Sequence, residues 1–251
     1  MKPRARQAGI ADVIGQEGQM SVEDLAGRFG VSAETIRRDL AQLAEGGLVQ
    51  KVHGGAKRLR LLTEGSFQDR MTENAAAKRV IADKLRQLVE PGDTLFIDTG
   101  STTVIAAEAL APVGGLTIIT NALRIAQIFA AADRGTRVFL LGGSFNPGND
   151  QTVGPMALAQ IAGFQADHAV LTVAGFDAES GATTTDFDEA QVARAMIENA
   201  DQLVLLVDGS KFGRKAAFRV CPARRVDLLV TEAEPEPALA ARLRAANVAW
   251  R

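Results

Sequence analysis

Residues 21–40 read SVEDLAGRFGVSAETIRRDL, and their pattern decides how the first part of the chain folds. Ser21 is placed to cap a helix, with Asp24 three residues on completing an approximate capping box. Val22, Leu25 and Phe29 give that helix one apolar face. Gly30 supplies a turn. Ser32 caps a second helix, whose buried stripe is Ile36, Leu40 and Leu43 at i, i+4 and i+7. Its other face offers Ala33, Thr35, Arg37 and Arg38. Two short helices, a tight turn and an exposed arginine pair are the layout of a helix-turn-helix, whose second helix lies in the DNA major groove.

The flanks extend this reading. Ile10, Val13 and Ile14 give a preceding amphipathic helix that buries the other two. Gly46 and Gly47 stop the recognition helix. Residues 48–52 alternate as a short strand does, and Gly54-Gly55 turns the chain, as in the wing of a winged helix. The expected DNA contacts are Ser32, Thr35, Arg37 and Arg38, with Lys51 and His53 of the wing meeting phosphates. Over residues 1–57 there are 8 Lys and Arg against 7 Asp and Glu, a balance of +1, so no strongly basic patch exists in the sum. Glu17, Glu23 and Asp24 fall outside the recognition helix. A helical hairpin packed only for structure is the competing reading; agreement of helix, turn, arginine pair and wing favours DNA.

The stretch VSAETIRRDLAQLAEGGLVQKVHGGA, residues 31–56, resembles the N-terminal signature of the DeoR family of bacterial transcriptional regulators. The resemblance rests on T-I-R-R-D-L at 35–40 and H-G-G-A at 53–56. It implies a winged helix-turn-helix followed by a C-terminal sensor for a small, usually phosphorylated, metabolite.

Composition bounds the rest. The chain has 251 residues, 47% of them apolar, and a net charge of −2, ordinary for a globular protein and unlike one that coats polyanions. One cysteine, Cys221, allows no intrachain disulfide. His53 and His168 stand far apart, so no metal site or cofactor is expected. The N-terminus is basic without an apolar core, which is not a secretory signal, and no apolar run approaches the ~18 residues of a membrane span. A cytoplasmic protein with no membrane partner is the expectation.

The expected organisation is a DNA-binding domain at 3–57, a linker at 58–75 and a sensor domain at 76–251. Lys57 at the end of the DNA-binding domain and Arg58 and Arg60 in the linker are either DNA-backbone contacts or merely solvated, and 67–71 is a short contact segment. A helix follows at 78–89. Strands are then expected at 94–98, 116–120, 137–141, 168–173, 202–207 and 226–231. Helices are expected at 103–110, 123–132, 153–161, 188–200 and 237–246. Short apolar strands alternating with amphipathic helices imply an α/β fold, a mainly parallel sheet covered on both faces.

Ligands of such sheets bind beyond the carboxyl ends of the strands. Asp98, Thr99, Gly100, Ser101, Thr102 and Thr103 fill one such loop. Its hydroxyls, its glycine and the helix start after it suit a phosphate. Asn121 follows the next strand, as a hydroxyl ligand or a helix cap. Gly142 and Gly143 follow the third, bringing backbone near a ligand or simply turning. Lys211, in Asp208-Gly209-Ser210-Lys211, stands after a fourth strand and suits an anion. Asp177, Asp186, Asp188 and Glu189 are candidates for sugar or glycerol hydroxyls, Asp186 or Asp188 alternatively being helix caps.

The resemblance continues here through IDTGSTT, LTIITNALRIA, LLGGS, the 188–199 helix and LLVDGSKFGR. These are similar to the DeoR sensor, which itself resembles ribose-5-phosphate isomerase. By that resemblance 100–103 and 208–211 form the phosphate site. Residues 187–214 are most similar to the glycerol-3-phosphate regulon repressor-like subgroup, which implies glycerol 3-phosphate as effector. The expected function is a repressor of a carbohydrate or glycerol catabolic operon, released from double-stranded operator DNA by a phosphorylated metabolite. A homo-oligomer, dimer or tetramer, is expected to read paired half-sites. The alternative is an isomerase-like enzyme fused to a DNA reader. The isomerase's acidic D-G-A-D-E pattern is incomplete at Ala174-Gly175-Phe176-Asp177-Ala178-Glu179, so no catalytic residue is assigned.

Overall fold

The computed structural model describes residues 3–45, 49–58 and 64–251. The chain divides into two compact units, Met1–Leu62 and Thr63–Arg251.

The first unit runs α1 (Pro3–Glu17), β1 (Gln19–Ser21), α2 (Val22–Phe29), α3 (Ala33–Glu45), β2 (Val49–Val52) and β3 (Gly55–Arg58). Ser21 caps α2 as its spacing requires: Asp24 N–H donates to Ser21 Oγ at 3.0 Å, and the Ser21 hydroxyl donates back to the Asp24 carboxylate at 2.7 Å. Ile36, Leu40 and Leu43 are buried against Ile10 and Ile14 of α1 and Val22 and Leu25 of α2. β2 and β3 form the wing hairpin across a His53-Gly54 turn, and β1 pairs antiparallel with β3. β1 is too short to show a period in the sequence. The expected stop at Gly46 and Gly47, Leu48 and Arg60 lie outside the described residues.

Asp39, the acid of the T-I-R-R-D-L motif, has an unexpected place. It is 4% exposed and accepts from Arg6 Nε at 2.6 Å and Gln7 Nε2 at 2.9 Å. A buried ion pair adds little net stability, but breaking one partner is costly. The pair therefore fixes how α3 lies on α1.

The second unit begins with α4 (Phe67–Thr72) and α5 (Ala75–Arg86). It continues through β4 (Thr94–Ile97), α6 (Ser101–Leu110), β5 (Thr117–Thr120), α7 (Leu123–Ala132) and β6 (Arg137–Leu140). A hairpin, β7 (Ser144–Asn146) and β8 (Gln151–Val153), precedes α8 (Pro155–Ile161), β9 (Ala166–Thr172), β10 (Gly175–Asp177), β11 (Gly181–Thr184) and α9 (Phe187–Glu198). Last come β12 (Ala200–Leu206), a 3₁₀ turn at Gly209–Lys211, β13 (Phe218–Cys221), β14 (Leu228–Val230), α10 (Pro237–Ala245) and β15 (Ala249–Trp250). The expected helix at 153–161 starts later because 151–153 is strand, and part of the expected linker is helix α4, anchored by buried Phe67.

Seven strands form one sheet in the order β15-β14-β12-β9-β4-β5-β6, every neighbouring pair parallel. Alternation along each strand feeds two cores. Leu95 and Ile97 pack with α5, α6 and α7, whereas Phe96 packs with α8, α9 and α10. From β4 the chain winds outward through β5 and β6, then returns to β9 on the other side of β4. The strand order thus reverses between β4 and β9, where a crevice opens beyond the strand ends. Among the described residues no helix is long and apolar enough to cross a membrane, and no cluster of His, Cys, Asp and Glu suits a metal ion.

Candidate functional site

Two surfaces carry chemistry, one in each unit. In the first, Ser32 precedes α3 and caps it: its Oγ accepts from Thr35 N–H at 3.2 Å and contacts Thr35 Oγ1 at 2.9 Å. Ser32 is exposed and Thr35 half-buried, so both hydroxyls reach the surface while holding the first turn. Arg37 and Arg38 project from the same helix with side chains 58% and 79% exposed. Glu34 lies 3.6 Å from the first and 3.5 Å from the second. Lys51 and His53 are exposed on the wing. Glu34 is the feature missed by reading only the arginines: an acid one turn earlier partly offsets both.

In the second unit a polar cavity lies at the β4–β9 reversal. Asp98 directly follows β4, and both its oxygens accept the Thr172 N–H, at 3.1 and 3.2 Å. Next comes α6, which no side chain caps, so its first amides are left for an anion. Ser101 and Thr102 of its first turn line the cavity. The α4–α5 junction closes one wall. Asn74, in the left-handed region, donates to Asp208 Oδ1 at 3.3 Å and Ser210 Oγ at 3.1 Å, docking α5 on the loop of Lys211. This brings Arg70, Lys78 and Lys211 to one cavity, with Arg214 nearby on its lining.

Lys78 is 3% exposed and donates to Arg70 O, to Glu73 O at 2.8 Å and to Ser101 Oγ at 3.0 Å. Burial lowers its pKa from the ordinary lysine value. The β7–β8 hairpin supplies acceptors and donors: Arg70 donates to Asn149 Oδ1 at 2.5 Å, and Asn149 and Gln151 donate to Glu189 at 2.5 and 2.7 Å. Burial raises the pKa of Glu189 despite these donors. Burial also raises Asp98 well above the usual carboxylate range, with the Glu189 charge adding to it. Asn121 donates to Gln151 Oε1 at 3.2 Å and Thr152 O at 2.9 Å, while its buried Oδ1 has no partner among the described residues. The cavity therefore combines cations and helix amides for an anion with carboxylates and an amide oxygen for hydroxyl donors.

Family models match both units: a DeoR-like helix-turn-helix domain over residues 6–60 and a DeoR C terminal sensor domain over 73–233. The chain belongs to the DeoR family. The glycerol-3-phosphate regulon repressor of Escherichia coli (strain K12) is 35% identical over 235 residues, 94% of this chain and 93% of the relative. The HTH-type transcriptional repressor CsqR of the same organism is 32% identical, over 94% of this chain and 90% of the relative. Ribose 5-phosphate isomerase A from Methanocaldococcus jannaschii superposes with a TM-score of 0.40 and 16% identity, covering 56% of this chain and 55% of that one.

Within this DeoR sensor the expected effector residues separate. Asp98, Thr99, Ser101, Thr102, Asn121, Glu189 and Lys211 line the cavity. Gly100, Thr103, Gly142, Gly143 and Asp177 do not. Gly100 is needed because a Cβ there would lie 2.1 Å from Thr172 Cγ2, a close approach between α6 and β9. Thr103 is fully buried, its hydroxyl donating to Gly100 O at 3.0 Å. Gly142 N–H donates to Gln160 Oε1, and Gly143, at φ 151°, passes where a Cβ would meet Val153 O at 2.5 Å. Both glycines build the hairpin base. Asp177 accepts from the Glu179 and Ser180 N–H groups, a turn lock. Asp186 caps α9, accepting from Glu189 N–H. The surplus of hydroxyls at 99–103 is also partly structural: Thr99 donates to Asn149 O and Ser101 accepts from Lys78.

Reasoning from sequence missed Glu64, Arg70, Lys78, Asn149, Gln151 and Arg214. One signal was available. Lys78 is a cation within the first four residues of α5, a position the helix dipole disfavours.

Asp98 gives the sensor a pH dependence. Its folded pKa is raised, so the folded state keeps a proton that the unfolded chain releases near pH 4. Stability from this group falls as pH rises from about 4 to the folded value, and the loss is complete above it. Asp98→Asn keeps an oxygen for Thr172 N–H and removes the titration. Its melting midpoint at pH 8 is expected above wild type, and its pH slope between 5 and 8 flatter. Thermal melts across that range check it; a variant tracking wild type at every pH refutes the assignment.

Proposed function

We propose that the chain is a transcriptional repressor that binds operator DNA through α3 and the wing. A phosphorylated metabolite, glycerol 3-phosphate in the first instance, releases it. The observation that carries this reading is the convergence of Arg70, Lys211 and the uncapped start of α6 on one cavity at the sheet's reversal. Hydroxyl acceptors Asp98, Glu189 and Asn121 Oδ1 stand in the same cavity, which suits a phosphate ester of a polyol or sugar. The naming of a 35% identical relative as glycerol-3-phosphate regulon repressor supports the choice of first effector. The engagement of Asp177 in its own turn, away from the cavity, supports sensing over isomerisation, because no general base is aimed from that segment at a substrate carbon. Paired half-sites read by a dimer or tetramer complete the reading.

Release requires that the effector bind the two states of the protein unequally. The test is binding of the purified protein to its own upstream region, titrated with glycerol 3-phosphate and a panel of sugar phosphates. Release by glycerol 3-phosphate at lower concentration than by the others is the expected result. Release by a different compound replaces the effector, and specific binding that no compound alters refutes the sensing role.

A further inference from the structure

Glu64 bridges two cations of the sensor cavity. Its carboxylate lies 3.2 Å from Arg70 Nη1 and 2.9 Å from Lys211 Nζ. The three side chains are only 12–17% exposed, and all three residues line the sensor cavity. A carboxylate between two nearly buried cations, in a cavity that also receives the uncapped start of α6, is an anion site with an anion already in it. That anion belongs to the chain itself. We propose that Glu64 is an internal competitor for the effector phosphate, which occupies Arg70 and Lys211 in the empty sensor and is displaced when effector binds. The inference rests on the phosphate-sensing reading above and adds the residue that sets its affinity.

Physical chemistry makes the exchange orderly. Two nearly buried cations side by side repel each other, and the Glu64 carboxylate between them offsets that repulsion. Glu64 supplies one negative charge and two oxygens. A phosphate dianion supplies about two charges and three oxygens, so it displaces the carboxylate, whereas a neutral polyol or a monocarboxylate gains nothing by doing so. The two anions repel and do not share the cations. Glu64 is free to leave without unmaking the site. Ser66 caps α4 on its own, accepting from Asp69 N–H at 3.2 Å, and α4 keeps Arg70 in place.

The experiment is calorimetric titration of the full chain with inorganic phosphate at fixed pH and ionic strength. It compares wild type, Glu64→Gln, Glu64→Ala and Lys211→Ala. Gln keeps the shape and loses the charge; Ala gives a second route if the Gln variant folds poorly. Both Glu64 variants are expected to bind phosphate about tenfold tighter or more, the scale of one charge-assisted hydrogen bond no longer competed for, while Lys211→Ala binds more weakly. Wild-type affinity in both Glu64 variants, with Lys211→Ala weakened, overturns the competitor and leaves the anion site standing. No phosphate binding by any form, or a Lys211→Ala affinity equal to wild type, overturns the anion site and the competitor with it.

Discussion

Replacing Arg37 and Arg38 together by alanine is expected to lower affinity for the specific operator about hundredfold or more, with each good bidentate base contact worth about 1–3 kcal/mol. The melting temperature is expected to stay within about a degree of wild type. Both expectations follow from where the side chains are. At 58% and 79% exposure they support no core, and Glu34, the acid beside both, is itself 62% exposed. Exposed pairs of that kind contribute little to folding. The stripe that does hold α3, Ile36, Leu40 and Leu43, is untouched, as is the Asp39–Arg6 pair. Titration of a labelled operator and of unrelated DNA at one salt concentration checks the prediction. Loss confined to the operator marks base reading, and an equal loss on both marks phosphate contacts. Unchanged operator affinity removes the arginines from the interface.

The second large effect is expected at the sensor. Lys211→Ala should raise the effector concentration needed for release by roughly ten- to hundredfold, since a hydrogen bond to a charged group is worth about 1.5–3 kcal/mol. Operator binding without effector should remain at wild-type strength, giving a repressor that inducer hardly lifts. Lys211 is placed for this by Asp208, which holds the 3₁₀ turn by accepting from Ser210 N–H at 3.0 Å, and by Glu232, which accepts from Gly209 N–H at 2.9 Å. Those contacts survive the substitution, so the loop keeps its shape. Effector titration of the preformed DNA complex measures the shift, and coincident release curves for variant and wild type exclude Lys211 from the site.

Much of this was legible in the sequence, for reasons that particular residues make plain. The stripe of α3 and the arginines opposite it follow helical spacing, and strands buried on both faces, such as Thr94–Ile97, stand out as apolar runs. Lys211 was readable from its place directly after such a strand. Arg70 was not, because 57–75 has no period and only the docking of α4 on the sensor turns its side chain inward; Lys78 left only the weak signal of a cation at the start of a helix. Asn149 and Gln151 reach Glu189 across 40 and 38 residues through a hairpin too short to register as alternation. Glycine was the ambiguous letter. At Gly100 and Gly143 it serves close packing of neighbouring chain, and the sequence cannot distinguish that from room left for a ligand.

The Glu34 carboxylate beside Arg37 and Arg38 bears on how the protein finds its operator at all. Attraction to arbitrary DNA scales with the phosphates a protein neutralises, and a chromosome offers about 10⁶–10⁹ competing positions. A reading helix that carries its own counter-charge, in a domain nearly balanced overall, lingers less at each wrong position.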